Sequence, residues 1–206
     1  MARNVLLVLA LAGAVSPLAA APLSVRVVDA SGRPVRDAVV TLYPQGGAAH
    51  PSRGGRFTVA QHNLQFDPFL TIVPVGADVS FPNLDPTRHH VYSFSAAKKF
   101  ELKLFAKDQS RTVHFDKPGV VALGCNIHDQ MSAFIVVTDS AWTARTNARG
   151  VASFADVPNA PARLTLWHPY LRAPGGQLQQ SIAPTQHSLS FQVRLRPPAA
   201  MAMTDY

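Results

Sequence analysis

The chain reads as an all-β protein with a sandwich core. Its apolar segments are short, rich in Val and Phe, and separated by Gly, Pro, Asn or Asp, and 17 prolines are spread through its 206 residues. That punctuation is the mark of strands joined by turns.

The elements run in order from the N-terminus. "MARNVLLVLALAGAVSPLAAAP" has one Arg, an apolar run from Val5 to Val15 and small residues at Ala19 to Ala21. This is the layout of a secretory signal peptide over residues 1–21, with cleavage expected between Ala19 and Pro22. Its apolar core is shorter than the roughly 20 residues a bilayer requires, and no other segment approaches that length, so no membrane span is expected after cleavage. The expected location is the periplasm. No cysteine near the leader offers a lipid anchor, and the lone Arg3 speaks against a twin-arginine signal.

The remaining chain is long enough for one sizeable core or two small ones. Loss of Arg3 takes the formal charge from +7 to +6, because no acidic residue leaves with it. A basic balance suits acidic partners. No Lys/Arg-rich run interleaved with aromatics occurs, which excludes nucleic acid as the expected partner.

Residues 22–48 contain "LSVRVVDASGRPVRDAVVTLYP", two alternating apolar runs around a turn, expected to be a hairpin region of a small β-sandwich. The stretch "PQGGAAHPSRGG" then reads as a loop. Residues 56–138 hold the chemistry: "VGADVSFPNLDPTRHHVYSF" is a strand, a turn-rich loop and a strand, and "GVVALGCNIHDQMSAFIVV" places two apolar runs around a short polar loop. Residues 139–196 read as a C-terminal β extension, and 197–206 as a disordered tail.

Cys125 is the one cysteine of the chain. An exported protein meets an oxidising compartment, where an unpaired thiol must be buried or ligated. A buried core thiol is the plain reading of such a residue. Its neighbours favour ligation, because Cys125, His128 and Met131 form C-x-x-H-x-x-M, a thiolate, an imidazole and a thioether on one tight loop. Copper sites that shuttle one electron use two histidines and a cysteine in a plane with a weak axial methionine. The second histidine is available at His89 or His90.

These residues resemble the cupredoxin family. Gly76, Val79, Phe81, Asn83 and Asp85 match the phrase that precedes the first histidine ligand in that family, and the loop spacing is of the amicyanin type. The phrases "FPNLD", "RHHVYSFS", "FELKL", "FDKPGVVALGCNIHD" and "WHP" are similar to bacterial periplasmic proteins of the methylamine utilisation or cupredoxin-like kind. The resemblance spans about residues 56–170. It implies a cupredoxin-like Greek-key β-sandwich holding one type 1 copper per chain, with His89, Cys125, His128 and Met131 as ligands. The flanks resemble the opening and closing parts of small regulatory-like β-sandwiches, so the copper unit is either inserted into such a sandwich or carries extra edge strands.

The residue after the first ligand is commonly Asn in cupredoxins and is His90 here, which leaves the choice of ligand between the two histidines open. Aligning "HHV" with the usual "HNV" favours His89, and neighbours on a strand point to opposite faces, so one of the pair is expected to reach the metal. His50, His62, His114 and His187 lie in polar or strand-like contexts and read as surface residues. His168, beside Trp167 and Pro169, reads as a packed, hydrogen-bonded histidine.

The expected function is a periplasmic carrier of single electrons between redox partners, docking an acidic cytochrome or copper protein. The rim expected around His128 is Met131, Ala133 and Phe134, with Lys98, Lys99, Lys103 and Lys107 as steering charges. The alternative is a copper-binding or copper-delivery module. No H-x-H pair of the kind used by multicopper enzymes occurs in the chain, and an enzyme is not expected.

Overall fold

A computed structural model describes residues 20–46 and 54–197. The expected leader, apart from Ala20 and Ala21, lies outside the described residues, as do His50 and residues 198–206 of the expected tail. Seventeen strands and no α-helix are found among the described residues. β1 (Ala20–Asp29) and β2 (Val39–Pro44) precede β3 (Arg56–Thr58), β4 (Ala60–His62), β5 (Gln65–Asp67), β6 (Leu70–Pro74) and β7 (Ala77–Pro82). β8 (His89–Ser95), β9 (Lys98–Phe105), β10 (Ser110–Phe115), β11 (Gly119–Cys125) and β12 (Ser132–Thr138) come next. β13 (Trp142–Arg145), β14 (Val151–Pro158), β15 (Ala162–Trp167), β16 (Gln177–Ile182) and β17 (Ser188–Val193) complete the order.

The central strands make a two-layer sandwich. One layer has the order β6-β12-β11-β8-β9 and the other β10-β7-β3. β7 shows why these residues form a half-buried strand. Ala77, Val79 and Phe81 are each fully buried, while Asp78 and Ser80 between them turn outward. The enclosed core adds Val91, Phe105, Phe115 and Ile135, and it includes Cys125 and Met131.

Strands from both flanks share a second pair of sheets, β14-β1-β17 and β13-β2-β15-β16. Their common core contains Val25, Val27, Val40, Leu42, Leu164 and Leu166. β1 and β2 do not form the expected hairpin ladder. The single bridge Val28–Pro34 closes the turn between them, and the Asp29 carboxylate accepts the Ser31 and Arg33 N–H groups at 2.8 and 3.0 Å to hold it. Beyond the turn the chain crosses to the other sheet, because Val25 and Val27 must face Val40 and Leu42 across the core rather than lie beside them.

A small third cluster joins the two sandwiches: Val39 of β2 packs with Leu70 and Val136. Phe134 stands between Phe69 and Trp167, with ring centroids 5.6 and 5.4 Å away. Polar contacts reinforce the junction, since Arg145 Nη1 donates to the Leu70 carbonyl at 3.3 Å and Tyr43 Oη lies 3.1 Å from Asp139 Oδ1. β2 therefore begins over Val136 of β12 and ends near the exit of that strand.

His168, directly after β15, is 8% exposed. Its ring packs on Tyr170, and Nδ1 accepts the Tyr170 N–H at 3.2 Å, which requires the neutral ring. Burial pushes its pKa down, against the opposing pull of Asp37 and the Arg36 backbone. The unfolded chain takes up this proton near pH 6.5 while the folded chain resists it, so the unfolded state binds more protons and stability falls as pH drops below about 6.5. His168→Gln is expected to flatten the pH dependence of urea unfolding between about pH 6.5 and 5 by up to one proton. An unchanged slope would mean that His168 titrates alike in both states.

Candidate metal centre

β8 and β11 pair with Val91 opposite Cys125 and Tyr92 opposite Gly124. His89 lies two residues before Val91, so His89 and Cys125 are diagonal neighbours on the inward face of the sheet. This register explains how residues far apart in sequence meet. After Cys125 the chain turns, with the Met131 N–H donating to the His128 carbonyl at 2.9 Å, and the turn brings His128 back toward the sulfur.

The ligand atoms of His89, Cys125 and His128 all lie within 4.8 Å of one another. Cys125 Sγ is 3.7 Å from His89 Nδ1 and 3.8 Å from His128 Nδ1. Metal–sulfur and metal–nitrogen bonds of about 2.3 and 2.05 Å, set 120° apart, separate the two donors by about 3.8 Å. The two sulfur–nitrogen distances therefore suit an ion shared by Cys125 with each histidine. His89 is fully buried and Cys125 is 3% exposed, while His128 is half-buried.

Met131 is 1% exposed and belongs to the same core cluster as Cys125. The thioether sits at the end of the loop that carries Cys125 and His128. His90, on the opposite face of β8, places Nε2 3.0 Å from Glu101 Oε1 and its ring 6.3 Å from that of Tyr92. It does not join the cluster. His62, His114 and His187 are exposed, and His114 pairs with Asp78.

Asp85 is a functional residue that motif reading names without giving it a task. It is 4% exposed, and its Oδ2 lies 2.8 Å from His89 Nε2. The β4–β5 hairpin turns through Asn63 and Leu64, both with positive φ, 53° and 57°, as a two-residue type I′ loop demands. Their N–H groups donate to the Asp85 carboxylate at 2.6 and 3.0 Å. Burial raises the Asp85 pKa, but the Leu64 N–H, the His89 ring and the Asn63 N–H outweigh it and hold the carboxyl below its usual range. Asn83 fixes the loop itself. Its Nδ2 donates to the carbonyls of Thr87 and Phe105 at 2.8 and 3.1 Å, and its Oδ1 accepts the Asp85 N–H at 2.9 Å. The signal in the sequence is the spacing N-x-D-x-x-x-H, but the partner turn is 21 and 22 residues upstream.

The apolar rim differs from expectation. Met131 and Ala133 point into the core, and Phe134 is taken up between Phe69 and Trp167. Exposed apolar side chains instead come from Ile127, beside His128, and from Leu64 and Leu84, on the segments bonded to or adjoining Asp85. Behind the site Tyr92 lies over Gly124, where an added Cβ would come 2.7 Å from the ring.

No family model matches the chain, and no curated protein matches it. Similar solved structures include a copper-containing nitrite reductase from Thermus scotoductus, at 24% identity and TM-score 0.40 over 47% of this chain and 25% of that one. A purple cupredoxin from Nitrosopumilus maritimus is similar at 18% identity and TM-score 0.36, over 39% of this chain and 98% of that one. A mutant amicyanin in its oxidised state is similar at 22% identity and TM-score 0.38, over 44% of this chain and 97% of that one.

Removing the Asp85 charge with Asp85→Asn is expected to weaken binding of added copper by about tenfold or more, measured by chelator competition, because the carboxylate orients the His89 ring toward the site. His89→Gly opens a position that added imidazole refills, whereas His90→Gly leaves binding in place. If imidazole rescues His90→Gly instead, the ligand is His90.

Proposed function

We propose that this chain is a periplasmic mononuclear copper protein of the cupredoxin-like, methylamine utilisation kind, carrying single electrons between redox partners. His89, Cys125 and His128 would hold the copper, with Met131 as a weaker fourth donor. The observation that carries the reading is the buried convergence of one thiol sulfur with two imidazole nitrogens, beside a buried thioether. A softer all-sulfur set would suit Cu(I) storage, and a set of oxygens would suit harder ions.

Copper bound there would supply a one-electron couple. The chain's own residues supply the rest. Asp85 keeps His89 Nδ1 aimed at the site, the β8–β11 register holds the sulfur, and the core walls around Cys125 exclude water. Donors fixed by backbone and hydrogen bonds move little when charge is gained or lost. His128 offers the partner a short path to the metal through its half-buried ring. The copper unit is taken as residues 56–138, with 22–48 and 139–196 building the second sandwich, and the leader as the route to the periplasm.

Copper delivery is the competing reading, and spectroscopy separates the two. Addition of Cu(II) is expected to give one bound ion per chain and an intense visible thiolate-to-copper band, because a short bond to a single cysteine sulfur defines this ligand set. Cys125→Ser abolishes the colour. Met131→Gln keeps the copper and lowers the reduction potential, since an amide oxygen favours Cu(II) over Cu(I). A colourless stoichiometric Cu(II) complex of the unaltered chain would overturn electron transfer in favour of delivery.

A further inference from the structure

The end of the flanking sandwich carries a groove that the copper site does not use. Arg33, Arg172, Arg194 and Arg196 line it, together with Val193 and Leu195. The fold gathers these arginines from three segments. Arg33 lies in the turn after β1, and Arg194 and Arg196 follow β17, which runs parallel to β1. Around the Leu171–Leu195 bridge, the Arg172 N–H donates to the Arg194 carbonyl at 2.8 Å and the Arg196 N–H to the Tyr170 carbonyl at 2.7 Å.

Arg33 pairs with Asp29 at 2.9 Å. Arg172, Arg194 and Arg196 are exposed, and among the described residues none of their side chains has a carboxylate partner. Four guanidinium groups therefore face one carboxylate. The lysines of β9 are placed differently. Lys98 is engaged by Asp116 at 2.9 Å, and Lys99 and Lys103 stand beside Glu101 on the same strand, so that face is of mixed sign.

The groove adjoins the segment that follows β15, through Arg172. Trp167, at the end of β15, packs on Phe134 near the start of β12, the strand that leaves the loop of Cys125 and His128. The chain then turns, with the Leu171 N–H donating to the His168 carbonyl at 3.0 Å, and reaches Arg172 five residues after Trp167. We propose that this groove docks a carboxylate-rich segment of the redox partner and so holds that partner over the His128 end. The proposal rests on the electron-carrier reading for the identity of the partner. Guanidinium forks match carboxylates in pairs, and a concave groove with apolar lining suits a peptide segment better than a flat lipid surface.

The test uses the full copper-loaded chain titrated with a decaglutamate peptide at low ionic strength. Binding is expected to weaken with salt, as the screening length drops from about 10 Å at 0.1 M to about 3 Å at 1 M. The triple variant Arg172→Gln, Arg194→Gln, Arg196→Gln is expected to lose about tenfold in affinity, and Lys99→Gln with Lys103→Gln and Lys107→Gln at most about twofold. Should the triple variant fail to fold, Arg194→Gln alone is expected to lose about twofold. Unchanged binding by the arginine variants, or a loss confined to the lysine variant, overturns the proposal. Tighter binding of inorganic pyrophosphate, or of vesicles containing phosphatidylglycerol, also overturns it and assigns the groove to phosphate groups. A missing visible copper band in the unaltered chain would sink the electron-carrier reading, while the peptide titration still judges the groove.

Discussion

The site depends on one buried hydrogen bond, that between Asp85 and His89. An imidazole has two nitrogens, and only when one is committed does the other acquire a direction. Here Nε2 is committed to Asp85 at 2.8 Å, which leaves Nδ1 facing the Cys125 sulfur. Burying a carboxylate costs roughly several kcal/mol unless its oxygens find donors. Asp85 finds them in two backbone N–H groups of a tight turn as well as in the His89 ring. The β4–β5 hairpin is short, but without its turn the carboxylate would lose two of these partners and His89 would lose its orientation.

The other donors are fixed by backbone alone. Cys125 ends a strand whose register against β8 is set by the cross-strand pairs of Val91 and Tyr92. A slip of one residue would carry the sulfur to the outer face, where Tyr92 packs on Gly124. That packing resists the slip, because any larger residue at 124 would meet the ring. Of the three converging donors only His128 sits on a loop, and its half-buried position follows from that: it is held by a turn rather than by a sheet.

Much of this is legible in the residues. The strands announce themselves through alternation such as Ala77, Val79 and Phe81, and the spacing of Cys125, His128 and Met131 needs no tertiary information. The choice within the histidine pair is harder, because both faces of "HHVYSF" are apolar. Val91 lies on one face, and Tyr92 and Phe94 on the other. Which face is the core depends on what covers it, and the structure buries Val91 while leaving Phe94 77% exposed. The bond to Asp85 and the rim of Leu64 and Leu84 depend on a turn more than about 20 residues upstream, beyond the reach of local pattern. The pairing of β1 and β2 escapes the sequence for a related reason. Alternation shows that a run is a strand but not which neighbour completes its ladder.

Two cores in one chain raise the question of what the flanking sandwich contributes. Its strands come from both sides of the central sandwich, so that sandwich is tethered at two points, and a third cluster fixes the angle between them. The cluster is small, with three buried aliphatic residues and an aromatic stack of Phe69, Phe134 and Trp167. It lies against β12 at Phe134 and Val136, on the strand that leaves the loop of Cys125 and His128. Charge on a freely swinging unit would steer a partner to no particular place, whereas charge on a unit fixed against β12 acts with a defined direction over about one screening length. Phe134 thus does a task different from the rim role its sequence position suggests. Packed against Trp167, it joins the strand that carries the site to the unit that carries the arginines.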